Sequence, residues 1–157
     1  MLAKEVKKDT YTGRFVIDGR ISSLIGGALA DPQKHHFANL GNLAFFFDIN
    51  VLGNRHLANS VRILLINNGM GTVFRNYTPF ASEVKEVADL FIAAGGHYGN
   101  KSTDLIKHYA EDLGFMYLSV NNKQEFSEMV KIFCRNEKLI NQLFLKYLLH
   151  PRTKMKH

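Results

Sequence analysis

The sequence predicts an α/β fold in which a parallel β-sheet is flanked by helices, and three observations support that class. Short apolar runs alternate with stretches of helical periodicity along the chain. The run from Val61 to Ile66 is rich in β-branched and leucine residues, contains no proline and ends at an Asn-Asn-Gly sequence. Two of the apolar runs are followed by an oxygen-bearing side chain, Asn42 and Asn68, as expected where parallel strands end at a ligand site.

The amino-terminal half begins with ten residues that are predicted to form a solvated arm. A helix is expected from Ile21 to Ala30, ended by an Asp-Pro sequence, and a strand from Phe37 to Leu40. Phe45 to Leu57 is predicted to be one helix, because apolar residues recur there at helical spacing despite Gly53. The strand Val61 to Ile66 follows.

The carboxyl-terminal half starts with a predicted loop over 72–82 and a helix over 83–94. A second helix is expected over 103–113, with Gly114 as its carboxyl-terminal cap. Phe115 to Val120 is predicted to be a strand, and Lys123 to Arg135 an amphipathic helix. Strands that alternate with helices in this way predict parallel pairing with covering helices.

Composition places the chain among ordinary globular domains. With 157 residues, 46% of them hydrophobic and 22% charged, it has the size of one domain with a substantial core. No segment has the apolar length needed to cross a bilayer, and the charged amino terminus does not resemble a signal peptide. The single Cys134 cannot form an internal disulfide, so we expect a cytoplasmic protein.

The net charge of +6 does not indicate a nucleic-acid-binding protein. Four of the six charges lie after Gln142, in a tail that contains no acid. No interleaving of aromatic and basic residues marks a single-strand binding surface. We therefore expect neither a nucleic-acid partner nor a membrane partner.

Asn42 and Asn68 are the central candidates for chemistry. Their amide oxygens, together with one backbone carbonyl, can hold a hard divalent cation such as Mg²⁺, which takes its other ligands from water and a phosphate. The alternative is that both are turn residues, because asparagine often follows a strand.

The segment around these residues resembles the diphosphate-binding domain of thiamine diphosphate enzymes, whose motif is Gly-Asp-Gly, a spacer and Asn-Asn. It is most similar to the branch that contains 2-succinyl-5-enolpyruvyl-6-hydroxy-3-cyclohexene-1-carboxylate synthase and related proteins of surface-polysaccharide gene clusters. The matching residues are Gly41, Leu43, Phe45, Phe46, Asp48, Asn50, Asn67, Asn68, Gly69, Gly71, Thr72 and Phe74. The resemblance implies a flavodoxin-like or Rossmann-like parallel sheet, the thiamine diphosphate-binding fold.

The same resemblance implies a set of site residues. The metal ligands would be the side chains of Asn42 and Asn68 and the backbone carbonyl of Met70. A second family segment aligns with residues 12–19 and would approach the thiazolium ring. The cofactor-binding residues implied in this way are Ile17, Asp18, Gly41, Asn42, Leu43, Ala44, Asn68, Gly71, Thr72 and Phe74.

Three positions depart from the family pattern. Asn42 stands where the family has aspartate, so binding of Mg²⁺ and diphosphate is expected to be weakened. Thr12 replaces an arginine and Val16 a glycine, and valine does not adopt positive φ cheaply. The loop before Gly19 is therefore expected to differ from the family shape, or to be a degenerate loop before a helix.

The family's catalytic glutamate belongs to a separate pyrimidine-binding domain, usually across a dimer interface. We assign no catalytic residue to this chain and expect it to be inactive by itself. It would be a truncated or degenerate fragment of a carboligase or decarboxylase. The alternatives are a subunit of a split thiamine diphosphate enzyme, whose partner chain supplies that domain, and a flavodoxin-like module that has lost its cofactor.

The tail divides the chain at about residue 140, into a diphosphate-binding domain at 1–140 and an atypical basic tail at 141–157. The family ends in a strand of the form Lys-Pro-x-x-Phe-Glu-Val-Phe-Thr, followed by acids. Permitted codons from Ile140 onward yield that ending in another reading frame. This predicts that a frameshift replaced the final strand and the tail. The apolar residues of the new tail would then cover the exposed sheet edge as an improvised helix or strand, or associate with another chain, and self-association would follow. These residues are Leu143, Phe144, Tyr147, Leu148 and Leu149.

Overall fold

The computed structural model of the chain describes residues 17–57, 59–68, 83, 104–135 and 143–148. Within these ranges the strands form a four-stranded sheet in the order β1-β2-β4-β3, and every pair is parallel. The elements are α1 (Arg20–Ala30), β1 (His36–Gly41), α2 (Asn42–Phe47), a 3₁₀ turn (Ile49–Gly53), β2 (Val61–Asn67), α3 (Leu105–Asp112), β3 (Met116–Val120), α4 (Lys123–Phe133) and β4 (Leu143–Leu148). The predicted α/β class with a parallel sheet and covering helices is confirmed.

Two apolar clusters lie on opposite faces of this sheet. On one face, α1, α2 and α3 cover Val61, Ile63 and Leu65 of β2. On the other face, α4 packs near Leu64 and Leu145. Alternate residues of β2 therefore enter different clusters, as the two-residue repeat of a strand requires.

Helix α1 agrees with its prediction and shows why it forms there. Ile21, Ile25 and Ala28 are spaced by four and three residues, and all three are buried against the sheet. Gly19 precedes the helix with φ of 77°, a left-handed conformation that favours glycine. Gly114, predicted as the cap of α3, likewise has φ of 80°.

The prediction of one continuous helix from Phe45 to Leu57 is wrong, because the helix is interrupted. Helix α2 ends at Phe47, and the 3₁₀ turn begins at Ile49. The break falls at Asp48, whose backbone leaves the helical region at φ −124° and ψ 20°. Its carboxylate accepts two hydrogen bonds from Ser22 of α1, so a long-range contact overrides the local periodicity.

The tail segment, predicted to cover the exposed sheet edge as an improvised helix or strand or to associate with another chain, forms a strand. Leu143–Leu148 forms β4, which pairs with both β2 and β3 and so lies inside the sheet rather than at its edge. The buried Leu145 fits this position. A short run of apolar residues that are compatible with extended backbone is sufficient to form a buried strand. Residues 143–148 are such a run, whether or not a frameshift produced them. The boundary at residue 140 and the frameshift stay predictions.

Several predicted elements lie outside the described residues: the arm at 1–10, the loop at 72–82 and nearly all of the helix at 83–94. The strand β3 and helix α4 lie where the sequence predicts them. Helix α4 begins after Asn122, whose side-chain oxygen accepts from the backbone N–H of Glu125 at 2.9 Å. Across the described ranges, no helix has the length and apolar character of a membrane span.

Candidate functional site

The register of β1 and β2 brings the two halves of the motif together. Gly41 pairs with Ile66, so Asn42 follows β1 beside Asn67, and Asn68 is the next residue along. Neighbouring strands lie about 4.8 Å apart. Residues that are distant in sequence are thus adjacent at the carboxyl edge of the sheet, the edge where open α/β sheets bind ligands.

Asn42 is a buried polar residue at the start of α2. Its exposed fraction is 2%, and its Nδ2 is shielded from solvent with no acceptor among the described residues. The preceding Gly41 is extended, at φ −78° and ψ 159°, and carries the chain directly from strand to helix. Leu43 is buried beside Asn42, and Ala44 is half-buried. Packing therefore fixes the position of the Asn42 amide, and its Nδ2 donor is able to hydrogen-bond to an incoming acceptor.

The two residues of the Asn-Asn pair at the end of β2 differ in burial. Asn67 is the last residue of β2 and is fully buried, whereas Asn68 is half-buried beyond the strand. Asn68 is the residue predicted to bind, and Asn67 is predicted only as part of the matching motif. The alternation of buried Ile63 and Leu65 would have placed Asn67 on the same face, next to Asn42.

The second predicted segment enters α1 at the same end of the sheet. Ile17 is half-buried, and the exposed Asp18 accepts the backbone N–H of Gly19 at 2.8 Å. Asp48, a motif residue, accepts the backbone N–H of Ser22 at 2.7 Å and its hydroxyl at 2.6 Å. The start of α1 is thereby tied to the segment that follows Asn42.

The remaining predicted site residues lie outside the described ranges. These are Met70, Gly71, Thr72 and Phe74, together with Thr12 and Val16 of the amino-terminal loop. The third metal ligand, the carbonyl of Met70, therefore stays a prediction, as do the assignments of Asn42 and Asn68 as ligands.

The side chains of Asn42, Asn67 and Asn68 are uncharged, and the carboxylates in the described part of the site are those of Asp18 and Asp48. In the described ranges, no group of three or more histidine, cysteine, aspartate or glutamate residues is placed to hold a metal ion. Amide side chains can donate to phosphate oxygens and can ligate Mg²⁺ through oxygen, but they bring no charge. The described donors thus fit a diphosphate, whereas the carboxylate that would anchor the cation is replaced at position 42.

The opposite end of β2 buries a different kind of polar group. Arg62 is fully buried, and its Nη1 donates to the carbonyl oxygens of Asn59 and Val61 at 2.7 and 3.1 Å. Its Nε and Nη2 have no acceptor among the described residues. Burial lowers the pKa of the guanidinium from its ordinary value.

A parallel α/β sheet with polar residues at the carboxyl ends of neighbouring strands has the architecture of domains that bind a ligand at that edge. No family model matches the chain. It is 34% identical over 130 residues to the 2-succinyl-5-enolpyruvyl-6-hydroxy-3-cyclohexene-1-carboxylate synthase of Bacteroides fragilis, a match that covers 83% of this chain and 22% of the synthase. This chain is therefore a relative of the synthase branch of thiamine diphosphate enzymes, and the predicted resemblance is confirmed.

Synthases of the same name from other organisms show the same pattern. The Bacteroides thetaiotaomicron protein is 34% identical over 121 residues, covering 77% of this chain and 20% of its own length. The Phocaeicola vulgatus protein is 33% identical over 130 residues, covering 83% and 22%. The chain thus spans about a fifth of the length of the curated relatives it matches.

Proposed function

We propose that this chain is a diphosphate-binding domain of a thiamine diphosphate-dependent carboligase or decarboxylase, and that it is not catalytic by itself. The observation that carries the proposal is the register of β1 and β2, which sets Asn42 beside the Asn67-Asn68 pair at the carboxyl edge of the sheet. The similarity of the chain to synthases of this branch supports it.

In this proposal the described residues bind and orient the cofactor. The amides of Asn42 and Asn68 contact the diphosphate or its Mg²⁺, and the backbone of Gly41 lets the phosphates approach closely. Ile17 and Asp18 lie along the thiazolium side, next to α1. When bound, the cofactor supplies a thiazolium carbon that stabilises a carbanion.

The catalytic acid would come from elsewhere. The proposed site contains no described carboxylate that we assign to proton transfer, and the chain matches about a fifth of its relatives. A pyrimidine-binding domain outside the given sequence, for example on another chain, would supply it. If such a chain is encoded nearby, this protein is one subunit of a split enzyme. We also propose that the chain works in the cytoplasm and self-associates.

Calorimetric titration of the full chain with thiamine diphosphate in the presence of Mg²⁺ tests the proposal. We expect saturable binding and an increase in melting temperature, because a ligand that binds only the folded state stabilises it. Thiamine without phosphates is the matched control and should bind much more weakly, because the described donors face the diphosphate.

Two results would contradict the proposal. Equal binding of thiamine and thiamine diphosphate would show that the amides do not recognise phosphate. The lack of both heat and thermal shift would favour the alternative of a flavodoxin-like module without cofactor.

A further inference from the structure

We propose that Asn42 makes the binding of the diphosphate independent of a divalent cation, because its amide donates a hydrogen bond directly to a phosphate oxygen. This inference rests on the proposed function and names the residue that sets its metal requirement. It differs from simple weakening of a magnesium site, since it predicts binding of the cofactor when the cation is removed.

The first support is the state of the Asn42 amide. Only 2% of the Asn42 surface is exposed, and its Nδ2 has no acceptor among the described residues. A buried donor without an acceptor is unfavourable, so an acceptor that arrives there is bound with a gain that an exposed amide would not provide. A phosphate oxygen is a strong, charged acceptor of this kind.

The second support is the charge at position 42. A carboxylate at this position would repel a diphosphate and would need a cation between the two groups. An amide removes that repulsion and offers a donor instead. An asparagine at position 42 therefore removes a charged ligand of the cation. It also removes the repulsion between a carboxylate and the diphosphate that the cation would otherwise neutralise.

The third support is the state of the described carboxylates near the start of α1. Both oxygens of Asp48 accept hydrogen bonds from Ser22, at 2.7 and 2.6 Å. Asp18 accepts the backbone N–H of Gly19 at 2.8 Å. These bonds orient both oxygens of Asp48 and one oxygen of Asp18 toward the start of α1, and we assign neither carboxylate to the role of the one replaced at Asn42.

Calorimetry of the full chain with thiamine diphosphate, in Mg²⁺ and again in EDTA, tests the inference without any variant. We expect the two dissociation constants to agree within about threefold, which is a small difference on the scale of 1.4 kcal/mol for each factor of ten. Loss of binding in EDTA would overturn the inference and leave the proposed function standing. Loss of binding in both buffers would overturn the proposed function as well.

The variant Asn42→Asp should change the affinity for thiamine diphosphate in opposite directions in EDTA and in Mg²⁺. A general loss of stability would not produce opposite changes. In EDTA it should bind about tenfold or more weakly than the native chain, because the carboxylate faces the phosphates. In Mg²⁺ it should bind more tightly than the native chain, because the anchor is restored. Equal effects of the substitution in the two buffers would overturn the inference.

Asn42→Leu is the matched apolar control, with a similar volume and no donor. It should bind thiamine diphosphate about tenfold or more weakly in both buffers, while its thermal melt shows a folded chain. Native affinity of the leucine variant in EDTA would show that the amide donor is not used, and would overturn the inference.

Discussion

Polar side chains are buried at both ends of β2, but those at one end are neutral and the one at the other end is charged. At the carboxyl end, Asn42 and Asn67 are neutral amides with exposed fractions of 2% and 0%. At the amino end, Arg62 is a charged guanidinium with an exposed fraction of 0%. It pairs in register with Phe37, whose ring contacts that of Phe133 at the end of α4, with centroids 5.7 Å apart.

This difference distinguishes the proposed binding edge of the sheet from the edge at which the buried polar group serves packing. A buried neutral amide costs little compared with a buried charge, so a fold can hold it ready for a ligand. A buried guanidinium with two donors lacking described acceptors costs more, and the hydrogen bonds of Nη1 offset only part of that cost. We therefore expect substitutions at the amino end to change stability, and those at the carboxyl end to change ligand binding.

The largest expected effect is at Arg62. Arg62→Ala should lower the free energy of unfolding by about 2–4 kcal/mol, because it leaves a cavity beside the core. Arg62→Met keeps the length and removes the charge, so its stability should stay within about 1 kcal/mol of the native chain or exceed it. Urea denaturation measures both. A loss as large for methionine as for alanine would show that the guanidinium is fully paired and stabilising.

An intermediate effect is expected where α1 is tied to the carboxyl edge. Asp48→Ala removes both acceptors of Ser22 and should cost about 1 kcal/mol, in the range of a lost helix cap. Ser22→Ala removes only the hydroxyl bond and should cost less. In a double-mutant cycle by urea denaturation, the two changes should be coupled. Strict additivity would mean that the two side chains do not stabilise the fold through each other.

The smallest expected effect on stability is at Tyr117, which lies in β3 and therefore at neither end of β2. Burial raises the pKa of the Tyr117 phenol above its ordinary value in the folded chain. Its contribution to stability is therefore complete below the unfolded pKa of about 10 and is lost as the pH rises through the folded pKa. Thermal melts at increasing alkaline pH should show a shallower decline for Tyr117→Phe than for the native chain. An identical decline in both proteins would assign the effect to other groups.

Local patterns in the sequence were sufficient for much of the fold. The spacing of Ile21, Ile25 and Ala28 predicts α1, and the strand from Val61 agrees with β2 to within one residue. The Asn residues at the ends of two apolar runs predict the edge of the sheet at which the proposed site lies. These signals are local, because each depends on residues within a few positions of one another.

Other features depended on contacts that no local pattern contains. The break at Asp48 comes from Ser22, 26 positions earlier, and a periodic apolar pattern could not reveal it. Which of Asn67 and Asn68 is buried depends on which face of β2 packs against α1, α2 and α3. Arg62 lies within a run that was predicted only as a buried strand, and its burial depends on the position of β2 between β1 and β4.

The sequence by itself determined the α/β class, most of the helices and strands, and the relationship to thiamine diphosphate enzymes, because residue periodicity and a spaced motif are written along the chain. The tertiary structure alone decided the strand order. It placed Leu143–Leu148 between β2 and β3, although the tail does not resemble the family's final strand. The physical reason is that a strand's position depends on which neighbours complete its hydrogen bonds and bury its faces, and these neighbours are far away in sequence.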